Sequence, residues 1–308
     1  MQQEHFYSNG KLLLSSEYLV LYGAKALALP LKLGQDLIVE HIPTFEPKRI
    51  RWNSFENNKL WFEMEIGTAD FSIQKTSDLK IAKQLLDCLQ QAKKLNPDFL
   101  KEKQNLEIHT NLDFNKTWGL GSSSTLVNNI AVWAETDPFK LLNLTFGGSG
   151  YDIACASADQ PIFYQLVEDE ISIENAAFDP IFKDNLYFVY TGRKQNTSKS
   201  VVEFKKTGIP SSTLISEITQ IGEIMAQTSS FDQFNQCIQF HEKLMSSVLK
   251  QKPIKLERFS NFDGELKSLG AWGGDFMMAS SKADFSWIKA YFHKMGLNII
   301  FKYSDLIK

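Results

Sequence analysis

A chain of 308 residues is longer than one hydrophobic core usually serves, so two fused domains are expected, and a hydrophobic content of 43% is ample to fill both. The formal net charge of −3 leaves no concentrated basic face for nucleic acid, although a local basic site for an anionic ligand stays open. The three cysteines, Cys88, Cys155 and Cys237, are far apart and odd in number, which excludes a disulfide framework or zinc knuckle and suits a reducing, cytoplasmic compartment.

The first residues, Met1-Gln2-Gln3-Glu4-His5, do not form a basic segment leading into an apolar core, so no secretory signal is expected. The longest apolar runs, Leu12-Leu13-Leu14 and Ile299-Ile300-Phe301, are too short to cross a bilayer, and no membrane partner is expected. His5, His41, His109, His241 and His293 show no HExxH-like pairing, which disfavours zinc chemistry.

In chain order, Leu60-Trp61-Phe62-Glu63-Met64-Glu65-Ile66 alternates in part and predicts a strand. A helix follows, carrying Leu79, Leu85, Leu86 and Leu89, capped by Thr76 or Ser77 and ended by Asn96-Pro97. Leu106, Ile108, Thr110 and Leu112 keep a period of two and predict a strand, and a second helix opens near Ser122 and runs through Val127, Ile130 and Trp133. Beyond a boundary near residue 183 the order is a buried strand at 186–190, helices at 213–226 and 231–249, a strand at 276–279, a helix at 284–294 and a closing strand at 297–303. That order suggests a small α+β sandwich.

The sharpest local signal is Gly119-Leu120-Gly121-Ser122-Ser123-Ser124, directly before the second helix. Two glycines permit a tight turn and a close backbone approach, and three hydroxyls stand beside the free amides of a helix start, which is a phosphate cradle. A Gly-Ser loop that only caps the helix is the plain alternative. GxxxxGK[ST] and an HRD loop are absent, and Ser124 replaces the third glycine of GxGxxG, so a Walker loop, a protein kinase and a dinucleotide fingerprint are excluded. Arg193, Lys194 and Lys199 form a basic cluster that either binds a phosphate or carboxylate or is a solvated charged loop.

Two further segments stand near the ends of the chain: Gly10-Lys11-Leu12-Leu13-Leu14-Ser15-Ser16-Glu17-Tyr18-Leu19-Val20-Leu21-Tyr22-Gly23 and Gly270-Ala271-Trp272-Gly273-Gly274-Asp275-Phe276. With the glycine loop between them they resemble the three motifs of the GHMP kinases, the family of galactokinase, homoserine kinase, mevalonate kinase and phosphomevalonate kinase. The likeness leans to the phosphomevalonate kinases. Glu17-Tyr18-Leu19-Val20-Leu21 is similar to their GGYLVL or GEYAIL form, Lys116-Thr117 before the loop to KTGLGSS, and Gly273-Gly274-Asp275 to GAGGGD. Ser149-Gly150-Tyr151-Asp152-Ile153-Ala154 resembles their SGxD segment, and Thr191-Gly192 with Thr197-Ser198-Lys199 resembles a segment that bears a Thr-Ser pair.

The resemblance implies an α+β, two-domain GHMP kinase fold: residues 1–183 as an ATP-binding domain like ribosomal protein S5 domain 2, and residues 184–308 as a ferredoxin-like α/β sandwich, with nucleotide and acceptor in the cleft between them. It implies ATP and Mg²⁺ as cofactors and a small anionic substrate, mevalonate or phosphomevalonate, for a monomer or homodimer. A sugar or homoserine acceptor, or a nucleotide-binding homologue that has lost catalysis, are the alternatives. By the same resemblance Gly119, Leu120, Gly121, Ser122, Ser123 and Ser124 hold the triphosphate, Asp152 is the base or hydroxyl-orienting carboxylate, and Lys11 is its cationic partner. Read without the motifs, Lys11 is an exposed lysine at a strand start, Asp152 a helix cap and the 270–274 segment a tight turn.

Acceptor contacts are expected from Glu17, Tyr18, Ser149, Gly150, Arg193, Lys194, Thr197, Ser198, Gly273 and Gly274. Where relatives such as mevalonate kinase carry a magnesium-binding glutamate, this chain has Lys140 and Leu141, which leaves Ser123 and Glu135 as the metal candidates. Trp118 looks like an insertion before the loop, and Trp272 stands where a small residue is usual, near the phosphates or packed beneath them.

Overall fold

A computed structural model of the chain describes residues 3–42, 48–68, 70–101, 105–194, 197–206, 208–272 and 274–308, with the side chains of Thr197 and Ser198 outside that set. In chain order β1 (Gln3–Leu13), β2 (Ala26–Ile42), β3 (Arg49–Glu56), β4 (Lys59–Gly67) and β5 (Ile73–Thr76) lead to α1 (Leu79–Leu95), β6 (Asn105–Leu112), α2 (Ser122–Trp133), α3 (Pro138–Thr145) and α4 (Tyr151–Ala156). Then come β7 (Ile162–Val167), β8 (Glu170–Asn175), β9 (Leu186–Tyr190), α5 (Thr197–Lys205), α6 (Ser212–Gln227), α7 (Phe231–Leu249) and α8 (Ile254–Arg258). β10 (Glu265–Ser268), β11 (Phe276–Ser280), α9 (Phe285–Lys294), β12 (Ile300–Lys302) and α10 (Tyr303–Leu306) close the chain.

The residues group into two compact units, one of 1–10, 33–116 and 120–157, the other of 11–32, 117–119 and 158–308. The boundary expected near residue 183 falls within the second unit. Composition registers a change of character there, but pairing decides membership: the start of β2 pairs antiparallel with β7, Leu27 opposite Phe163, and β7 pairs with β8.

In the first unit the strand order is β5-β4-β3-β6 and the later part of β2. β3 runs parallel to β6, Ile50 opposite Leu106, and β6 antiparallel to β2, Thr110 opposite Leu37. Alternation points Leu37, Val39, Ile50, Trp52, Phe62 and Ile108 to one core. Ala82, Leu85, Leu89 and Ala92 of α1 and Val127 and Ile130 of α2 return every three or four residues to cover it. The α1 cap is Asp78, not Thr76 or Ser77: its Oδ1 accepts from the amides of Lys80 at 2.8 Å and Ile81 at 3.1 Å. Thr76 and Ser77 spend their hydroxyls on the amides of Asp78 and Glu63 instead.

In the second unit β10-β11-β9-β12 form an antiparallel sheet. Tyr187, Val189, Met277, Ala279, Ile288 and Phe292 make one core there, and Tyr18, Leu19, Phe204, Ile218, Met245 and Trp272 another. The expected closing strand at 297–303 is shorter, and α10 follows it. β10 escaped the sequence reading because Glu265-Leu266-Lys267-Ser268 is short and places a lysine in the interior. Cys88, Cys155 and Cys237 are buried free thiols. Among the described residues no helix is long and apolar enough to cross a membrane.

Candidate active site

The glycine loop is divided between the units: residues 117–119 belong to the second, 120–124 to the first. In the first unit Gly121 is the N-cap of α2 in a left-handed conformation, φ 96°, which glycine adopts at no steric cost. No side chain caps this helix end, so its first amides stay available and the positive end of the dipole faces the loop. Leu120 is buried and pins the loop, Ser122 is half-buried, Ser123 is exposed and Ser124 is buried. The Ser124 hydroxyl donates to Asp152 Oδ2. Asp152 Oδ1 accepts from the Ile153 amide at 3.2 Å.

The cap of α4 is Gly150, φ 89°, and Asp152 sits in the first turn, so the capping reading of Asp152 gives way to a carboxylate tied to the start of α2. α2 is itself located by buried polar contacts that the sequence reading did not single out. Thr125 donates to Gln35 Oε1 at 2.7 Å, Asn129 Nδ2 to the Gln35 carbonyl at 2.9 Å, and Ser8 to Asn129 Oδ1 at 2.7 Å. Polar residues at core positions of an otherwise apolar helix are the signal that could have found them.

In the second unit Lys11 Nζ donates to the Gly119 carbonyl at 2.9 Å, so the lysine is half-buried at the first loop glycine and not a solvated strand-start residue. Trp118 anchors the loop's approach, its ring 6.0 Å from that of Tyr190, 6.1 Å from Phe276 and 5.8 Å from Phe301. Gly119 has φ 73°, and a Cβ there would stand 2.5 Å from the Asp275 carboxyl carbon. Asp275 itself takes φ 51°, a strained conformation for a non-glycine residue, held by its amide donating to the Arg193 carbonyl at 2.7 Å and its carbonyl accepting from Thr191 at 2.8 Å. Asp275 belonged to a quoted motif yet was not singled out. Gly119→Ala is expected to lower stability by about 1–3 kcal/mol, read from denaturant unfolding.

Glu17 was expected on the acceptor and is corrected: it is 1% exposed, with Lys267 Nζ 2.6 Å from Oε1 and His241 Nε2 3.0 Å from Oε2. The Ser16 amide donates to His241 Nε2 at 3.3 Å, so that nitrogen is an acceptor beside the Glu17 carboxylate. Burial alone would raise the Glu17 pKa, but Lys267 and His241 outweigh it and hold the carboxyl below its usual range. Burial and Lys267 together lower the pKa of His241. Neighbouring Glu242, which accepts from the Ser268 amide at 3.1 Å, is pushed by burial up to about 8. One ammonium thus neutralises one carboxylate, and the second keeps its proton.

This cluster fixes the first motif, where Ser16 and Tyr18 take φ of 66° and 62°. Between pH 4.5 and about 8 the unfolded chain releases a Glu242 proton that the folded chain keeps. Glu242's contribution is therefore complete below 4.5 and lost as pH rises through 8. Each tenfold in proton affinity is worth about 1.4 kcal/mol, so Glu242→Gln is expected to gain a few kcal/mol on the wild type between pH 5 and pH 8. Urea unfolding of both proteins across that range reads the difference.

Of the remaining candidates, Tyr18 is buried against Phe204 with rings stacked at 5.0 Å. Trp272 is buried in the same cluster, packed beneath the first motif. Ser149 is half-buried, Gly150 and Gly274 are buried, and Arg193 and Lys194 are exposed. Gly273 and the side chains of Thr197 and Ser198 lie outside the described residues. Ser123 and Glu135 sit at opposite ends of α2, a length of roughly 16–18 Å, so one ion cannot touch both; Glu135 is exposed at the far end. Among the described residues no cluster of three or more His, Cys, Asp or Glu could hold a metal. The oxygens of Ser123, Ser124 and Asp152 fit a hard cation that takes few protein ligands and completes its shell with phosphates and water.

The two-unit architecture is the fold of the GHMP kinases. A Streptococcus pneumoniae phosphomevalonate kinase, solved with phosphomevalonate and AMPPNP, is 15% identical over 97% of this chain and 99% of its own, with TM-score 0.71. A Methanococcus jannaschii mevalonate kinase is 14% identical over 97% of both chains, TM-score 0.69, and a Listeria innocua protein 17% identical over 97% of both, TM-score 0.72. No protein-family model and no curated protein matches the sequence.

Proposed function

We propose that the protein is an ATP-dependent small-molecule kinase that transfers the γ-phosphoryl group to mevalonate or phosphomevalonate. The observation that carries this reading is the hydrogen bond from Ser124, at an uncapped helix start after Gly119-Leu120-Gly121, to the Asp152 carboxylate. In this reading one hydrogen bond joins the phosphate cradle at the start of α2 to the acid–base carboxylate in the first turn of α4. The Lys11 ammonium at the Gly119 carbonyl adds a cation at the other end of that loop.

Phosphoryl transfer passes through a loose transition state, so the protein's work is to position the groups and stabilise charge. The α2 amides and Ser122 and Ser123 hold the β- and γ-phosphates, and Lys11 offsets charge on the group in transit. Asp152 aligns the acceptor oxygen and, when that oxygen is a hydroxyl, accepts its proton. A bound Mg²⁺ would be held by Ser123 in this reading and would neutralise charge on the β- and γ-phosphates. A cytoplasmic setting belongs to the same reading and is supported by three buried thiols free of disulfides.

The choice of acceptor rests on the sequence motifs, and proteins of the same fold have been solved with R-mevalonate and with phosphomevalonate and AMPPNP. A coupled assay of ADP release with ATP and Mg²⁺, run on mevalonate and phosphomevalonate side by side with galactose as control, tests it. Turnover on one of the first two and not on galactose is expected. Turnover on galactose alone, or on none of them, contradicts the reading.

A further inference from the structure

The second unit contains a cavity of about 760 Å³ into which Arg193, Lys199, Lys252 and Arg258 bring four cations against the carboxylates of Glu203 and Glu257. The rings of Tyr18, Phe204 and Trp272 supply apolar surface beside these charged groups. The volume falls within the range of small-molecule sites, and such sites pair an apolar wall with a few placed polar groups.

Arg258 is the group that singles this cavity out. Its Nη1 is buried with no hydrogen-bond partner among the described residues. The guanidinium carbon lies 5.1 Å from the centre of the Phe259 ring. A buried donor left unpaired costs free energy, more so for a charged one. Burial, and then the neighbouring Arg193, both lower the pKa of Arg258, which marks two like charges held close together. Glu203 faces Lys206 at 2.7 Å, and Glu257 offsets the Arg193 charge only in part.

Two guanidinium forks and two ammoniums lining one space match the geometry and charge of a phosphate dianion better than a lone carboxylate. We propose that this cavity binds the phosphate head of a small phosphorylated molecule, with Arg258 and Arg193 gripping the oxygens and Tyr18 and Trp272 covering its carbon body. Resting on the kinase reading, the ligand is the phosphoryl acceptor, so the acceptor arrives already phosphorylated.

The test measures binding to the full chain by titration calorimetry without nucleotide or Mg²⁺, with phosphomevalonate, mevalonate and inorganic phosphate as probes. The expected result is that phosphomevalonate binds at least tenfold tighter than mevalonate and that inorganic phosphate competes with it. Arg258→Gln and, at an exposed position that spares the fold, Arg193→Gln should each weaken phosphomevalonate by tenfold or more while AMPPNP binds as to the wild type.

The proposal is overturned if neither phosphate-bearing probe binds, if mevalonate binds as tightly as phosphomevalonate, or if both variants, folded by their unfolding curves, bind it like the wild type. Failure of this site and failure of the kinase reading are separable. Arginine-dependent binding in a chain that never consumes ATP keeps the site and loses the kinase. ATP-dependent turnover with an acceptor KM unmoved by either variant does the reverse.

Discussion

Asp152→Ala is expected to lower turnover by roughly two to four orders of magnitude, the scale of lost acid–base or electrostatic help, with a smaller change in KM. The carboxylate is held from two directions: Oδ2 accepts from Ser124 at the start of α2, and Oδ1 from the Ile153 amide at the start of α4. Alanine removes the carboxylate to which the proposed function assigns the orienting of the acceptor and leaves both helices in place, because α4 is capped by Gly150 and not by Asp152. The loss should therefore fall on kcat while thermal unfolding moves little.

Asp152→Asn refines the result. It keeps a hydrogen-bonding carbonyl but cannot accept a proton. A hydroxyl acceptor predicts that Asn is nearly as poor as Ala; a phosphate acceptor, already ionised, predicts that Asn retains more activity. Steady-state kinetics of the three proteins separates the cases, and near-normal turnover in Asp152→Ala would end the assignment.

Lys267→Met is expected to cost roughly 3–5 kcal/mol of stability, the usual penalty for leaving one member of a buried ion pair without its partner. Lys267 and Glu17 are 0% and 1% exposed and 2.6 Å apart, and methionine fills the space of the lysine stem while stranding the Glu17 charge. His241 offsets only part of the loss, since its burial still disfavours the imidazolium even with Glu17 beside it. The double variant Glu17→Gln/Lys267→Met should recover much of the loss, because removing both charges removes the stranded one.

The direction with pH follows. The Glu17 pKa lies below 4.5 in the folded protein, so the pairing contributes above that pH and fades as pH falls below it. Urea titrations at pH 7 of the wild type, the single and the double variants read the effect. A single variant as stable as the wild type would contradict the account.

Regular periodicity made much of the fold legible in the sequence. α2 spans Ser122–Trp133 and α7 Phe231–Leu249, as their apolar spacing predicts, and β9 occupies Leu186–Tyr190. The glycine loop and the 149–154 segment were legible because glycines at required left-handed turns precede helix starts. What stayed hidden depends on long-range partners. Glu17 and Lys267 are 250 positions apart, and neither carries a local sign that it is buried. β10 was lost because its interior lysine breaks the alternation, and the α1 cap was misassigned because Thr76, Ser77 and Asp78 are all competent caps and only their partners distinguish them. Arg258 gave no signal, since only the fold brings it and Arg193 to the lining of one cavity.

Phosphorus NMR of ATP with Mg²⁺ and each acceptor, followed over time with wild-type protein and with Asp152→Ala, tests most directly whether this helix start is a phosphoryl-transfer centre. In the wild type the γ-phosphate signal should shrink as a new acceptor phosphate signal grows in equal amount, and in the variant the γ-phosphate should persist. Loss of the γ-phosphate to free phosphate alone, or transfer at equal rates in both proteins, would contradict the account.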